Sequence, residues 1–368
     1  EAKAYVTAES QAFSPNGDGK FDTQKFTIKN SLNDGIESWK FSIATADGKV
    51  VKSWTNETLK DIPSSLVWDG TGDDGKPVED NVYTARLNID YEKGNKVDTV
   101  SPAFISCVTP PKAAVKTKPE YFSPDNDGED DDLFIQLKAD TLLPLKSWSF
   151  QINDPKGAKF WSTSGKSSIT EQIKWDGRSN NKSNELVQSA MDYPYTFTVT
   201  DSLGMTSTVE GIIPIDILVV PDGDKLKMAV PSIIFRSDAA DFKGEGEPGV
   251  AKGKGLSKEQ IANNERILKR IAVVLNKFKS YKVTVEGHAN SMSGTAAEEE
   301  GTNVALYGPG LKQLSKERAD FVRKQLVKYG VSSSRLSAVG MGGTQPIVDR
   351  TDKANNWKNR RVEFILIK

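Results

Sequence analysis

The sequence predicts a multidomain chain in which two tandem all-β sandwiches precede one α/β domain. Three observations indicate this fold class. The chain has 368 residues, more than one hydrophobic core usually organises. A set of landmarks occurs twice in the first two thirds, and near Met228 the apolar pattern changes from alternation to a helical period. We therefore predict domains at 1–109, 112–220 and 228–368.

The internal repeat rests on three short motifs that return in the same order. They are F-S-P-x-x-D-G at Phe13 and Phe122, S-W-x-F at Ser38 and Ser147, and W-D-G at Trp68 and Trp175. Nearly constant spacing indicates duplication of a whole small domain. Apolar and polar residues alternate over 25–29, 39–43 and 82–89, and again over 148–152 and 195–199, which is typical of half-buried strands.

These motifs resemble bacterial Ig-like domains, of the kind found in flagellar hook-capping proteins and in sorting or adhesion modules. The resemblance covers roughly residues 5–215 and rests on the F-S-P-x-x-D-G opening and the W-D-G turn. It implies a spacer or an arm that binds other envelope proteins, without a reaction of its own.

Both openings are rich in oxygen ligands, which leaves a second interpretation open. The first contains Asn16, Asp18 and Asp22, and the second contains Asp125, Asp127 and the run 130–132. Such loops can supply the six to eight oxygens that calcium requires. The favoured interpretation is a solvated turn before the first strand, so no metal site is predicted.

Composition excludes several classes of function. A formal net charge of −1 disfavours a nucleic-acid partner. With one cysteine (Cys107) and one histidine (His288), the chain lacks the ligands of a zinc site, and we expect no cofactor. The most apolar stretch, 212–220, is too short to span a bilayer and is predicted to be a strand. The sequence begins at Glu1 without a signal peptide, so we expect membrane contact only through an anchor outside it.

The last third alternates strands and helices in the order β-α-β-α-β. We predict strands at 232–235, 282–286 and 361–367, and two helices, the first opened by the capping box of Ser257 and Gln260. The second helix is predicted to begin with Ser315 as its cap and to end at Gly330. This order predicts helices packed on a mixed sheet.

Four motifs in this region resemble OmpA-like domains of the OmpA, MotB and Pal type. They are G-H-A-N at Gly287, L-S-K-E-R-A at Leu314, V-G-M-G at Val339 and N-R-R-V-E at Asn359. The family binds the peptide stem of peptidoglycan through its diaminopimelate. The resemblance implies that Arg318 pairs with a ligand carboxylate, that the position of Asn290 faces the ligand ammonium, and that Asn359 and Arg360 shape the site. Arg318 is predicted in the first helical turn, where backbone amides also favour anions.

This sequence departs from the family pattern at two places. Asn290 occupies the position of the family's Asp, and an amide cannot offer a charge to an ammonium group. The loss is of order 1 kcal/mol, or several-fold to tenfold in affinity. Two connections, 238–256 and 291–310, are long, and the second contains Glu298, Glu299 and Glu300. They either rebuild the pocket, with the glutamates replacing the lost charge, or are plain surface insertions.

The sequence thus predicts a non-catalytic protein of the periplasm or cell envelope, with outer-membrane association as one option. Its OmpA-like domain would bind or tether to a peptidoglycan stem peptide or an altered stem. The alternative is an OmpA-like fold that has lost diaminopimelate binding and serves as a structural or protein-interaction module. A wall hydrolase with two carboxylates is the third hypothesis, and no recognisable catalytic constellation favours it.

Overall fold

The computed structural model of the chain describes residues 2–181, 183–302 and 310–368. Three buried hydrophobic clusters lie along it, built from residues within 4–104, 122–218 and 217–366. None of the helices in the described segments is long and apolar enough to cross a membrane. The predicted class, two β-sandwiches followed by an α/β unit, is confirmed.

The first sandwich contains two facing sheets. Its strands are β1 (Ala4–Ala8), β2 (Ala12–Phe13), β3 (Gln24–Asn30), β4 (Ile36–Thr45), β5 (Val50–Thr55), β6 (Ser65–Trp68), β7 (Asn81–Tyr91), β8 (Lys96–Val100) and β9 (Phe104–Ser106). One sheet has the order β1-β3-β6, and the other has the order β2-β9-β7-β4-β5 with β8 paired to β7. Apolar residues on alternate positions of β3, β4 and β7 fill the space between them.

The second sandwich repeats this plan. Its strands are β10 (Lys112–Lys118), β11 (Leu133–Asp140), β12 (Leu145–Asn153), β13 (Lys159–Gly165), β14 (Gln172–Trp175), β15 (Asp192–Asp201) and β16 (Thr206–Pro214). The sheets have the orders β10-β11-β14 and β13-β12-β15-β16. A parallel bridge between Phe122 and Ile215 matches the parallel pair β2–β9 of the first copy.

The repeated motifs close one end of each sandwich. Phe13 packs on Trp68 with ring centroids 5.4 Å apart, and Phe122 packs on Trp175 at 5.6 Å. The glycine of each W-D-G turn has a positive φ, and a Cβ there would lie 2.6 Å (first copy) or 2.5 Å (second copy) from the proline of its F-S-P motif. Phenylalanine, proline, tryptophan and glycine therefore recur together because they pack as one unit.

The third unit combines a mixed sheet with two long helices. Its elements are β17 (Val220–Asp222), β18 (Lys225–Val230), α1 (Lys258–Lys277), β19 (Lys282–His288), α2 (Ala296–Glu300), α3 (Leu311–Lys328), β20 (Leu336–Gly342) and β21 (Val362–Ile367). The strand order is β17-β18-β21-β19-β20, in which only β19 and β20 are parallel. The predicted mixed sheet is confirmed, and residues of α1 and α3 share its core. The sheet of the third unit includes β17, which lies before residue 228 in the sequence. The domain boundaries given from the sequence remain predictions.

Two sequence-based strand assignments were wrong. The segment 232–235 is not a strand, and the edge strand beside it is β18. Buried Asn264 of α1 replaces a strand partner. Its side chain accepts from the amide of Ile234 at 2.9 Å and donates to the carbonyl of Ile234 at 2.7 Å. The segment 212–220 is not one strand either, because β16 ends at Pro214 and the chain then crosses to the third unit.

The start of α3 also differs from the prediction. Gly310 is the N-cap, and Ser315 lies inside the helix, where its hydroxyl donates to the carbonyl of Lys312 at 3.0 Å and accepts from the amide of Gly342 at 2.9 Å. From sequence alone, a serine whose hydroxyl bonds a preceding carbonyl of the helix is difficult to distinguish from an N-cap serine. Arg318 consequently lies beyond the first turn, so free helix amides do not assist it. The capping box of Ser257 is confirmed.

Among the described residues, two ion pairs connect the second sandwich and the segment after it to the third unit. Nε and Nη2 of Arg270, in α1, donate to the carboxylate of Asp216 at 2.9 and 2.6 Å. Cζ of Arg270 lies 4.5 Å from the ring centre of Tyr121. Lys358 pairs with Glu185 at 2.5 Å. Both pairs are partly buried, which strengthens them relative to surface pairs.

We predict that Asn264→Ala destabilises the third unit by about 1–3 kcal/mol, since it leaves two backbone groups of Ile234 without partners. The segment 232–235 should also exchange its amide hydrogens faster. Urea unfolding combined with hydrogen-exchange mass spectrometry measures both effects. Asn276→Ala, on the same helix with one long bond of 3.5 Å to Gly330, is the matched control and should change little. Equal effects of the two variants would contradict this role of Asn264.

Candidate functional site

A cavity of about 550 Å³ lies between the third unit and the second sandwich. The third unit contributes the irregular segment 231–237, the end of β19, one residue of α3 and the approach to β21. The second sandwich contributes the turn after β12 and the start of β15. The lining includes His288 and the charged residues Lys156, Asp192, Arg236, Arg318, Arg360 and Arg361. Cations therefore dominate the lining.

Arg318 is held in position by neutral groups. Its Nε donates to the carbonyl of Ala239 at 2.9 Å, its Nη2 donates to the carbonyl of Arg236 at 3.0 Å, and its Cζ lies 5.1 Å from the ring centre of Phe235. Among the described residues, no carboxylate forms an ion pair with it. Burial lowers the pKa of Arg318; the charge of Asp238 opposes this effect, and that of Arg360 adds to it. The guanidinium is thus a partly desolvated cation with no carboxylate of the described segments in ion-pair contact.

The other arginines of the cavity divide into two kinds. Arg236 is neutralised by Asp241 through two bonds of 2.6 and 2.7 Å, and Arg361 by Glu363 at 2.6 Å. Arg360 is exposed, and no carboxylate in the described segments pairs with it. Arg318 and Arg360 therefore present free positive charge to one cavity, and a carboxylate would neutralise both.

Asn290 and Asn359 lie together, but they are not among the residues that line this cavity. Asn359 is fully buried, and its Nδ2 donates to Oδ1 of Asn290 at 2.8 Å. Its Oδ1 accepts from the amides of Ile347 and Val348 at 2.8 and 3.1 Å. Asn359 therefore positions Asn290 and the loop before β21. Of the four predicted site residues, the structure brings Arg318 and Arg360 to one cavity and binds the other two to each other.

His288 is a buried residue at the end of β19. Its Nε2 lies 3.4 Å from Glu286 and 3.6 Å from Glu363. Glu363 also contacts Arg361 and, at 3.3 Å, Lys227. Burial would raise the pKa of Glu363, and these cations lower it. A histidine within this packed ion cluster fits the structural interpretation made from the sequence.

Two glutamates of the run after β19 accept hydrogen bonds from nearby loop residues. Glu298 is buried and accepts from the hydroxyls of Ser291 and Ser293 at 2.7 and 2.6 Å and from the amide of Met292 at 2.8 Å. Glu299 accepts from the amide of Gly343 at 3.0 Å, and none of the three glutamates lines the arginine cavity. Their charge is therefore not directed at that cavity. Residues 303–309 of this insertion lie outside the described residues.

Sequence reasoning missed the part of the site that comes from the second sandwich. Lys156 and Asp192 line the same cavity as Arg318 although they lie far from it in the sequence. Asp192 is exposed at the first position of β15. Spacing within a domain carries no information about a neighbouring domain, so no motif identified either residue.

Comparison with known families identifies two regions of the chain. Residues 257–360 match the model described as OmpA family, and residues 14–99 match the model described as FlgD Ig-like domain. The chain therefore carries an OmpA-like domain toward its C-terminal end and an Ig-like domain in its first copy. The OmpA-like resemblance is confirmed over residues 257–360, and the Ig-like resemblance is confirmed over residues 14–99 of the first copy.

Individual relatives match over a limited part of the chain. Outer membrane porin F from Pseudomonas fluorescens is 34% identical over 96 residues, which cover 26% of this chain and 26% of the porin. Peptidoglycan-binding protein ArfA from Mycobacterium tuberculosis is 31% identical over 106 residues, 29% of this chain and 28% of that protein. Among solved structures, the cell wall anchor of the T6SS from Pseudomonas aeruginosa is 22% identical, with 41% of this chain and 87% of that chain covered and a TM-score of 0.30. The chain spans about a quarter of the length of the first two relatives' own sequences.

We predict that Glu298→Gln destabilises the third unit at neutral pH by about 1–3 kcal/mol. Burial would raise the pKa of Glu298, but hydrogen bonds from Ser293, Ser291 and the backbone lower it from 4.5 to about 2. A lowered folded-state pKa means that the ionised group stabilises the fold above its ordinary pKa, and that this stabilisation is lost as the pH falls through about 2.

Denaturant midpoints of the parent and the variant between pH 7 and pH 2 measure this effect. The difference should be largest at neutral pH and should vanish near pH 2. Glu300→Gln is the matched control, because Glu300 forms only an exposed pair of 3.6 Å with Lys312. A pH-independent difference for Glu298→Gln would contradict the prediction.

Proposed function

We propose that the chain is a non-catalytic cell-envelope protein whose OmpA-like domain binds the peptide stem of peptidoglycan or an altered stem. One observation carries this proposal. Arg318 and Arg360 present unneutralised guanidinium groups to a cavity of about 550 Å³, in the domain that matches the OmpA family. A cavity of this size and charge suits a short peptide that carries carboxylates.

Arg318 is the principal carboxylate-binding group in this proposal. The carbonyls of Arg236 and Ala239 fix its guanidinium before a ligand arrives, so little side-chain freedom is lost on binding. Partial burial strengthens the pairing because water screens it less. A charged hydrogen bond of this kind contributes about 1.5–3 kcal/mol. Arg360, at the exposed side of the cavity, adds a second positive charge.

We assign the ammonium group of the ligand to Asp192. Asn290 offers no charge, and its Oδ1 already accepts a hydrogen bond from Asn359. Asp192 is exposed and lines the same cavity from the second sandwich. A zwitterionic diamino acid would then bridge the arginines and Asp192, which makes the second sandwich part of the binding site. Asn359 acts as a positioning residue through Asn290 and the loop at 347–348.

Relatives support the class of ligand and the location. One relative is named a peptidoglycan-binding protein and another an outer membrane porin. We accordingly place this chain in the periplasm or cell envelope, with the first sandwich as a spacer or an arm for other envelope proteins. The domains are proposed at 1–109, 112–220 and 228–368.

A second candidate function is a structural or protein-interaction module that has lost diaminopimelate binding. The neutral pair of Asn290 and Asn359 favours it, because the position that carries the family's charge is occupied by an amide engaged inside the protein. The free charge of Arg318 and Arg360 favours the stem-binding function.

We predict that Arg318→Gln lowers retention of the full chain on purified sacculi by about tenfold to a hundredfold, the equivalent of one charged hydrogen bond. Arg318→Lys should lose less, since it keeps the charge without the fork-shaped donors. Co-sedimentation at low salt measures retention. Arg323→Gln, on the same helix and paired with Asp320 at 3.4 Å, is the matched control. Arg360→Gln, at an exposed position, should also weaken binding. Unchanged retention of Arg318→Gln and Arg360→Gln would refute the assignment.

We predict that Asp192→Asn weakens binding of a diaminopimelate-containing stem tripeptide several-fold to tenfold, because one charged contact becomes neutral. Isothermal titration calorimetry of the full chain measures the affinity. Asn290→Asp should change the affinity less than Asp192→Asn does. Parent-like affinity of Asp192→Asn, with a clear gain for Asn290→Asp, would show that the ligand ammonium lies at position 290 instead.

A further inference from the structure

The second F-S-P opening contains a group of carboxylates that lacks a positive partner. One carboxylate oxygen from each of Asp125, Asp127 and Asp131 lies within 4.8 Å of one from each of the others. Asp127 is exposed, whereas Asp125 is only 6% exposed. Oδ2 of Asp125 accepts from the amide of Val219 at 2.8 Å, but its Oδ1 is buried and has no hydrogen-bond partner among the described residues. A buried carboxylate oxygen without a donor is costly, so the site requires another partner.

The electrostatics of this group point to a cation. Within the part of the chain that the structure describes, no lysine or arginine forms an ion pair with any of the three. Lys174 lies near but pairs with Asp132, at 2.7 Å. No side-chain cation in the described segments therefore offsets the repulsion among the three carboxylates.

The first opening provides an internal comparison, because Asn16 occupies the position that corresponds to Asp125. The amide of Asn16 donates to Asp18 at 3.2 Å, which satisfies both groups. Asp22 accepts from two backbone amides, each at 2.7 Å, and Asp131 does the same in the second opening at 2.6 and 2.8 Å. The turn framework is shared, but Oδ1 of Asp125 has no hydrogen-bond partner among the described residues, whereas Oδ1 of Asn16 accepts from the amide of Asp18 at 3.0 Å.

We propose that Asp125, Asp127 and Asp131 bind one calcium ion. Calcium accepts six to eight oxygen ligands at 2.3–2.6 Å, so two ligands of one ion lie at most about 5 Å apart, which agrees with the observed spacing. Magnesium needs a tighter octahedron of oxygens at about 2.1 Å and retains most of its water. Backbone carbonyls and water would complete the calcium shell.

The position of this site gives the ion a structural consequence. The amide of Asp216 donates to the carbonyl of Phe122 at 2.9 Å, and that of Val219 donates to Asp125. The segment after β16 therefore lies along the second F-S-P opening before the chain enters the third unit. Asp216 of this segment forms an ion pair with Arg270. Bound calcium would fix this junction and the orientation of the two units that line the arginine cavity.

The test uses the full chain after removal of metal with EGTA. Calorimetric titration with calcium chloride should reveal one site with a Kd between about 10⁻⁵ and 10⁻³ M. Asp125→Asn and Asp127→Asn should each weaken it at least about tenfold; Asp127 is exposed, so its substitution does not threaten folding. Hydrogen exchange of the Val219 amide should slow when calcium is added.

Asp18→Asn in the first opening is the matched control and should leave the calcium titration unchanged. Absence of saturable binding up to roughly 10 mM calcium, well above the weakest sites expected, would overturn the proposal. Parent-like affinity of Asp127→Asn would overturn it as well. Loss of binding in Asp18→Asn would place the site in the first opening and equally contradict the assignment.

Discussion

The unneutralised guanidinium of Arg318 is the constraint on which the rest of the site depends. Two backbone carbonyls and the ring of Phe235 hold it in place without cancelling its charge. The irregular segment 232–239 supplies these carbonyls, and Asn264 of α1 holds it through two hydrogen bonds to Ile234. A partly buried cation without a counter-ion costs free energy in the absence of a ligand, and that cost is recovered when a carboxylate binds. The charge of Arg318 thus links the irregular segment 232–239 to the proposed binding of a carboxylate.

Much of the fold was predictable because its signals are local. Strand alternation, the repeated aromatic motifs and the capping box of Ser257 each act over a few residues, and the structure confirms them. Two of the failures, at 232–235 and at Ser315, share a cause, which is that a distant group replaced a local one. Asn264 substitutes for a strand partner at 232–235, and the amide of Gly342 occupies the hydroxyl of Ser315, which sequence alone presents as a helix cap.

The candidate site was only half predictable for the same reason. The family motifs identified Arg318 and Arg360, which do line one cavity. Asp192 and Lys156 come from another domain, so neither periodicity nor motif spacing indicated them. The second sandwich is therefore more than a spacer, because it contributes residues to the cavity. The ion pair of Arg270 with Asp216 fixes the second sandwich against the third unit, beside the carboxylates of the second opening.

A crystal structure of the full chain with a diaminopimelate-containing stem tripeptide tests the central claim most directly. We expect a ligand carboxylate within hydrogen-bond distance of Arg318, with Arg360 beside it and the ligand ammonium toward Asp192. Arg318 should keep its bonds to the carbonyls of Arg236 and Ala239. A tripeptide bound away from this cavity, with Arg318 still free of any anion, would contradict the claim.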